Sequence, residues 1–263
     1  PRSTLFPYTT LFRSRTGVEQ GAAGAFTSNA DNAKFDFLTT TPNTNPVWVN
    51  LVQSGRNDYV VANTIVNRMT ASADPRVPLY FTQDASSSYS GGICGATNNF
   101  ATYSKPALNI QAPNFPTWFM DYAEVEFLLA EAKERGYTVP GTAAQHYDNA
   151  ITASILFWGG TQVAATLYLA TPAVNYTTAA GTYKQKIGTQ KWIALYERGF
   201  DAWTEWRRLD YPVLAAPPTA LTAIPLRFTY PVSEQNLNKA NYTSASAAIG
   251  GDLVTAKLWF DKF

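Results

Sequence analysis

Two helix-periodic segments that face each other across a short turn constrain this chain more than anything else in it. In Trp118–Arg135, the residues Phe119, Tyr122, Ala123, Glu126, Phe127 and Ala130 share one stripe of a 3.6-residue helix. Gly136 stands where a left-handed stop belongs, and Val139-Pro140-Gly141 turns the chain. Thr142 then caps a second helix running to about Trp158. Its apolar stripe holds Ala144, Tyr147, Ala150, Ile151, Ser154 and Ile155, and Gly159-Gly160 ends it. Small alanines on both stripes let the helices approach closely, so the expected unit is an antiparallel hairpin of tetratricopeptide type, roughly 34 to 40 residues long. Two more helices, Tyr183–Arg198 and Phe200–Leu209, are expected to hinge at Gly199. The predicted fold class is mainly α, with tetratricopeptide-like helical hairpins and long irregular excursions.

The excursions flank the hairpins. Residues 15–117 read as loop-rich and 211–263 as loop-like and proline-punctuated, around a helical stretch at 118–210. Thr44–Val52, TNPVWVNLV, has the β-branched and aromatic content of a short strand. Asn57 or Asn63 is placed to cap a helix through Val60, Val61, Ile65, Val66 and Met69, which Asp74-Pro75-Arg76 ends. Ser86–Phe100, a Gly/Ser/Asn stretch without periodicity, follows; a loop of that length is usually functional or disordered. Thr4–Ser14, TLFPYTTLFRS, resembles the in-frame translation of a common short-read sequencing adapter. Residues 1–14 are therefore expected to be foreign to the fold, the alternative being a Thr/Phe-rich strand through TTLF. On that reading the natural N-terminus lies upstream of this chain.

Composition narrows the function. Charged residues make up 15% of the chain, against roughly 25% in an average soluble protein. The net charge of +1 gives no electrostatic footprint for nucleic acid. A single cysteine, Cys94, and a single histidine, His146, exclude a disulfide framework and a multi-cysteine or histidine-rich metal site, so no metal and no cofactor are expected. No uncharged apolar run approaches 18 residues, the length needed to span a bilayer.

Catalytic constellations are equally sparse. A nucleophilic triad would have to use His146, which sits off the apolar stripe and reads as an exposed structural side chain. Cys94 lies in a glycine loop without an adjacent base, and GAAGAF at Gly21–Phe26 lacks the lysine and serine of a P-loop. Carboxylates are harder to dismiss, because a glycosidase needs only two. Glu124 and Glu131 share a helical face, and Glu197, Asp201 and Glu205 follow at intervals of four. Lys133, Arg198, Arg207 and Arg208 lie close by, so ion pairing at the helix surface accounts for them.

Aromatics remain. Trp192, Tyr196, Trp203 and Trp206 fall on or near one stripe and read as core. Those in irregular segments, such as Trp48, Tyr89 and Tyr103, have weaker structural obligations, although core packing stays the simpler role for each taken singly. A flat ring among amides and hydroxyls suits a neutral polar ligand such as a sugar, whose C–H face stacks on the ring. The candidate ligand residues are therefore Trp48, Tyr89, Asn98, Asn99 and Tyr103, with no catalytic residue assigned.

Several segments in order resemble the SusD-like (RagB-type) family of surface nutrient-binding lipoproteins. They are DPRVPLYF (Asp74–Phe81), DYAEVEFLLAEAKERGY (Asp121–Tyr137) and HYDNAITASILFWG (His146–Gly159). IGTQKWIALYERGFDAWTEWRRLDYPVL (Ile187–Leu214), IPLRFTYPVSEQNLN (Ile224–Asn238) and KLWFD (Lys257–Asp261) complete the series. Their order matches the C-terminal part of such proteins. The resemblance implies a hairpin scaffold with ligand-facing loops, lipid-anchored at the outer-membrane surface through an N-terminal anchor missing from this chain. It implies capture of oligosaccharide or peptide nutrients without chemistry, and a TonB-dependent SusC-like barrel transporter as partner. The rival readings are a helical-repeat adaptor that binds only protein and, less favoured by the residues, a glycoside hydrolase.

Overall fold

The computed structural model describes residues 6–57 and 59–261; residues 1–5, 58 and 262–263 lie outside it, and with them the opening of the adapter-like segment and the end of the closing AKLWFDKF. The chain is mostly helical. α1 (Phe6–Gly21) runs across the Ser14 boundary, so TTLF forms no strand. From that helix, Arg15 Nη2 donates to the Gly136 carbonyl at 3.1 Å and Glu19 Oε1 accepts from Thr138 N at 2.7 Å. After β1 (Ala33–Phe35), α2 (Pro46–Trp48) and a wider helical turn over Val49–Gln53 occupy the segment expected to be a strand. The local start signal wins over the β-branched composition there. Asn45 Oδ1 accepts from Val47 N at 2.7 Å, and Pro46, whose φ is preset for a helix, takes the first position.

α3 (Asn63–Ala71) and α4 (Val77–Tyr80) follow, joined through Asp74-Pro75-Arg76. β2 (Thr117–Met120) pairs antiparallel with β1, Lys34 opposite Trp118. This corrects the expected helix start at Trp118. α5 (Tyr122–Glu134) begins only after Asp121, whose Oδ1 accepts from Glu124 N at 2.7 Å, and Phe119 is 69% exposed on the strand rather than in the helical stripe. The hairpin itself forms as the sequence requires. Gly136 adopts φ +74°, and Thr142 and Gln145 exchange side-chain and backbone hydrogen bonds in a capping box that opens α6 (Ala143–Phe157). Gly159 at φ +92° lets the chain turn into α7 (Gln162–Leu169).

α8 (Tyr183–Ala194) and α9 (Gly199–Leu209) complete the helical centre. α8 stops four residues before the expected Arg198, and Glu197 takes φ +69° in the corner between them. α10 (Val232–Leu237) and α11 (Lys239–Ala248) lie in the C-terminal segment. One core cluster joins α5, α6, α7, α8 and α9 through Phe127, Tyr147, Ile151, Ala165, Ile187 and Leu209. A second joins α3 and α4 to Ile110, Trp158 and Ile193. At about 25 cal/mol per Å² of apolar surface removed from water, these two clusters drive the fold. Polar ties pin them together. Arg76, fully buried, reaches Asp74, Ser154 on α6 and Gln190 on α8. Among the described residues no helix is long and apolar enough to cross a membrane.

Candidate functional site

Three concavities meet around the strand-like segment before α3. A cleft of about 790 Å³ runs between α3, α8 and the loops at 173–180 and 213–218. A second, of about 430 Å³, lies between residues 60–65 and the α8–α9 corner. A third, of about 470 Å³, lies between residues 57–62 and the 92–98 loop. The first two share Thr64 and Leu214, the second and third share Val60 and Ala62, and the first and third share Ile93 and Cys94. They are therefore contiguous.

Backbone pairing sets this geometry. Gly92 N donates to the Val61 carbonyl and Asn63 N to the Gly92 carbonyl, both at 2.9 Å, while Val61 N reaches Ser104 at 3.2 Å. The approach requires glycine: a Cβ on Gly91 would lie 2.3 Å from Asn63 N. The rest of the Ser86–Phe100 stretch is organised by its own side chains. Asp84 accepts from Ser86 N, Ser88 N and the Ser90 hydroxyl. Asn98 donates to the carbonyls of Ile93 and Ala96 and accepts from Ile93 N, all at 2.9 Å.

The five candidate residues are not brought together. Asn98 lines the third concavity, but both its amide protons are spent within its own loop. Trp48 is half-buried on α2, and Tyr89, half-buried, packs against the second core cluster. Asn99 is exposed and its side chain accepts from Ala101 N at 3.0 Å; Tyr103 is half-buried. None of these four lines the three concavities.

The aromatic stripe of α8 and α9 does. Trp192, Tyr196, Trp203 and Trp206 are half-buried and border the second cleft; Trp192 and Tyr196 also pack against the second core cluster, as expected, whereas Trp203 and Trp206 belong to neither cluster. The corner at 195–198 breaks the continuous helix on which a core stripe depends. Three of the rings are held by named contacts. Trp203 Nε1 donates to the Pro225 carbonyl at 2.8 Å, Trp206 Nε1 to Pro212 at 2.9 Å, and Tyr196 stacks on Tyr80 at 4.4 Å. The Arg207 guanidinium covers one face of Trp203 at 3.7 Å.

Apart from Glu197, the candidate carboxylates are elsewhere and occupied. Glu131 and Glu205 bracket Arg208, and Lys191 Nζ lies 2.9 Å from Glu205 Oε2. Burial alone would raise the Glu205 carboxyl, but Lys191 and Arg208 outweigh it and pull it down to about 2. Glu124 pairs with Arg198 at 2.6 Å. Glu124–Arg198 and Glu131–Arg208 reach between elements and are largely buried, which corrects the expectation of surface pairing for those two acids; Glu205–Arg208 and Asp201–Arg198, each three residues apart, pair locally as expected. His146 is corrected as well. It is 8% exposed, with Nδ1 2.5 Å from Glu126 Oε2 on α5 and Nε2 2.8 Å from the Pro140 carbonyl. The larger cleft is lined by no Asp or Glu, and the aromatic cleft by Glu197 alone.

Fold and site together define a helical-hairpin scaffold whose loops wall a set of open, connected clefts. The chain belongs to the SusD-like family described as starch-binding and associating with the outer membrane, which it matches over residues 13–231. Solved structures show the same fold. A chitin-binding protein aligns with a TM-score of 0.79 at 26% identity, over 97% of this chain and 60% of its own. A chitin-binding SusD homologue from Flavobacterium johnsoniae aligns with a TM-score of 0.76 at 26% identity, over 94% of this chain and 58% of its own. A SusD homologue from Bacteroides thetaiotaomicron reaches 0.80 at 24% identity, over 97% and 61%, a likeness of fold alone. The chain spans about three fifths of the length of these structures. No curated protein matches it in sequence.

Proposed function

We propose that this protein binds an oligosaccharide at the outer-membrane surface without turning it over, and passes it to a TonB-dependent SusC-like barrel transporter. The observation that carries the reading is the contiguous concave surface in which fixed tryptophan rings continue into walls of amides and hydroxyls. Rings whose planes are held by Nε1–H bonds offer stacking without an ordering cost, and the polar wall meets sugar hydroxyls. Membership in the SusD-like family supports a saccharide ligand and an outer-membrane address, and two relatives of known structure are described as chitin-binding. A binding role without chemistry is supported by the cleft linings, which hold one carboxylate where a glycosidase needs two. The transporter partner and a lipid anchor upstream of this chain follow from the family reading.

The test is titration calorimetry with neutral oligosaccharides on the wild type and on Trp206→Ala and Trp48→Ala, with product analysis of the bound glycan. Loss of affinity of about tenfold in Trp206→Ala with Trp48→Ala unchanged is expected, in keeping with the removal of one stacked ring. The reverse pattern moves binding to the α2 loop face, and turnover of the glycan overturns the non-catalytic reading.

A further inference from the structure

Four arginines of this fold, buried or half-buried, are answered by carboxylates: Arg76 by Asp74, Arg198 by Glu124 and Asp121, Arg208 by Glu131 and Glu205, and Arg227 by Asp252. Buried Arg207 has no carboxylate partner but spends its guanidinium on the Trp203 and Leu226 carbonyls and the Thr204 hydroxyl. Arg68 has neither a carboxylate nor a full set of acceptors. It sits half-buried in the last turn of α3, on the wall of the 790 Å³ cleft. Its Nη2 donates to the Val213 carbonyl at 3.1 Å, while its buried Nε has no acceptor. Burial pulls its pKa down with no neighbouring carboxylate to restore it. Lys186, on α8, lines the same cleft, with Nζ on the Tyr176 carbonyl at 2.8 Å and over the Tyr176 ring at 5.2 Å. Neither cation forms an ion pair among the described residues.

The remaining polar wall is made of amides and hydroxyls, including Asn63, Asn67, Gln185, Ser72 and Thr189, and no acid. The first turn of α8 carries no acid either, and the Thr182 side chain does not cap it, so the positive end of the helix adds to the same sign. A half-buried guanidinium N–H without an acceptor is costly, and an oxyanion with two acceptor oxygens on one centre is the group its fork fits best. We infer that the 790 Å³ cleft takes the oxyanion of an acidic saccharide, a uronic-acid carboxylate or a sulfate ester, with Arg68 and Lys186 as its counter-ions. The aromatic cleft next to it, sharing Thr64 and Leu214, then stacks the neutral part of the same chain. This inference rests on the reading of the protein as a saccharide receptor and names the chemical class of its ligand.

The experiment titrates the intact protein with a neutral oligosaccharide, an oligogalacturonate and a sulfated oligosaccharide, each at low and high salt. Arg68→Gln and Lys186→Gln are measured beside the wild type, with circular dichroism to establish that each is folded. One of the two acidic probes is expected to bind more tightly than the neutral one by about tenfold to a hundredfold, the worth of one or two charge-assisted hydrogen bonds. That advantage is expected to shrink with salt and to vanish in Arg68→Gln or Lys186→Gln, so that each variant binds the acidic probe no more tightly than the neutral one. Whether carboxylate or sulfate is favoured identifies the source of the oxyanion. Neutral binding with no acidic preference, unaffected by either substitution, overturns the inference and leaves the receptor reading standing. Failure of all three probes to bind overturns both.

Discussion

Arg76 is fully buried, and its guanidinium bonds Asp74 at 2.9 and 2.6 Å, Ser154 at 3.0 Å and Gln190 at 2.9 Å. Burial alone would depress its pKa; the Asp74 carboxylate outweighs that and keeps the group charged. Arg76→Met would leave Asp74, 3% exposed, as a buried carboxylate without a counter-ion, and would strip Ser154 and Gln190 of their donor. Breaking a buried pair from one side costs about 3–5 kcal/mol. That is a large part of the ~5–15 kcal/mol that separates folded from unfolded in an ordinary domain. Adding Asp74→Asn removes the stranded charge, so the double variant is expected to regain about 1–3 kcal/mol over Arg76→Met. Urea unfolding followed by far-ultraviolet circular dichroism reads all three. High salt should leave the difference unchanged, because the pair is out of reach of screening ions. A cost below about 1 kcal/mol for Arg76→Met, or a double variant no more stable than the single, would refute the claim that this pair holds the 74–76 turn to α6 and α8.

His146 faces oxygens at both ring nitrogens, so the imidazolium satisfies both, and Glu126 raises its pKa despite burial. With the folded value above the unfolded one of about 6.5, the contribution is complete below that pH and is lost as pH rises through the folded value. The melting temperature should therefore fall across that window in the wild type, and His146→Gln should remove this part of the slope. Gly91→Ala drives a Cβ to 2.3 Å from Asn63 N, a backbone clash expected to cost about 1–3 kcal/mol in urea unfolding and to shift the loop that walls the clefts. Thr142→Ala removes the capping box of α6 and should cost about 1 kcal/mol in the same assay.

The parts of the hairpin that depend on one helical turn are legible in the sequence. Thr142 with Gln145, Gly136 and Gly159 all act where their residue types place them, because capping and positive φ are decided within a few residues. Trp118–Met120 was not legible as a strand, since its partner, Ala33–Phe35, is remote in sequence. The Asn45-Pro46 start signal was present in Thr44–Val52, and the β-branched residues after it pointed the other way. His146 is off the α6 stripe as periodicity implies; its burial comes from Glu126 on the other helix and Pro140 in the turn.

The site was harder to read for a related reason. A stripe through Trp192, Tyr196, Trp203 and Trp206 means core only if one straight helix carries it, and the 195–198 corner places Trp192 on α8 and the other two tryptophans on α9. Rings that would share one buried face of a straight helix instead border an opening between two. Charge follows the same logic. In sequence Arg68 and Lys186 look like any other cations of helices, and Arg198 and Arg208 look no different. What separates them is which elements pack against each: α5 delivers Glu124 to Arg198 and Glu131 to Arg208. The 213–218 loop delivers only a carbonyl to Arg68, and the residues before α8 only a carbonyl and a ring to Lys186. A folded chain that answers Arg198 and Arg208 with carboxylates and Arg207 with carbonyls and a hydroxyl, yet leaves Arg68 and Lys186 without a counter-ion on one cleft, has left room there for an acid from outside.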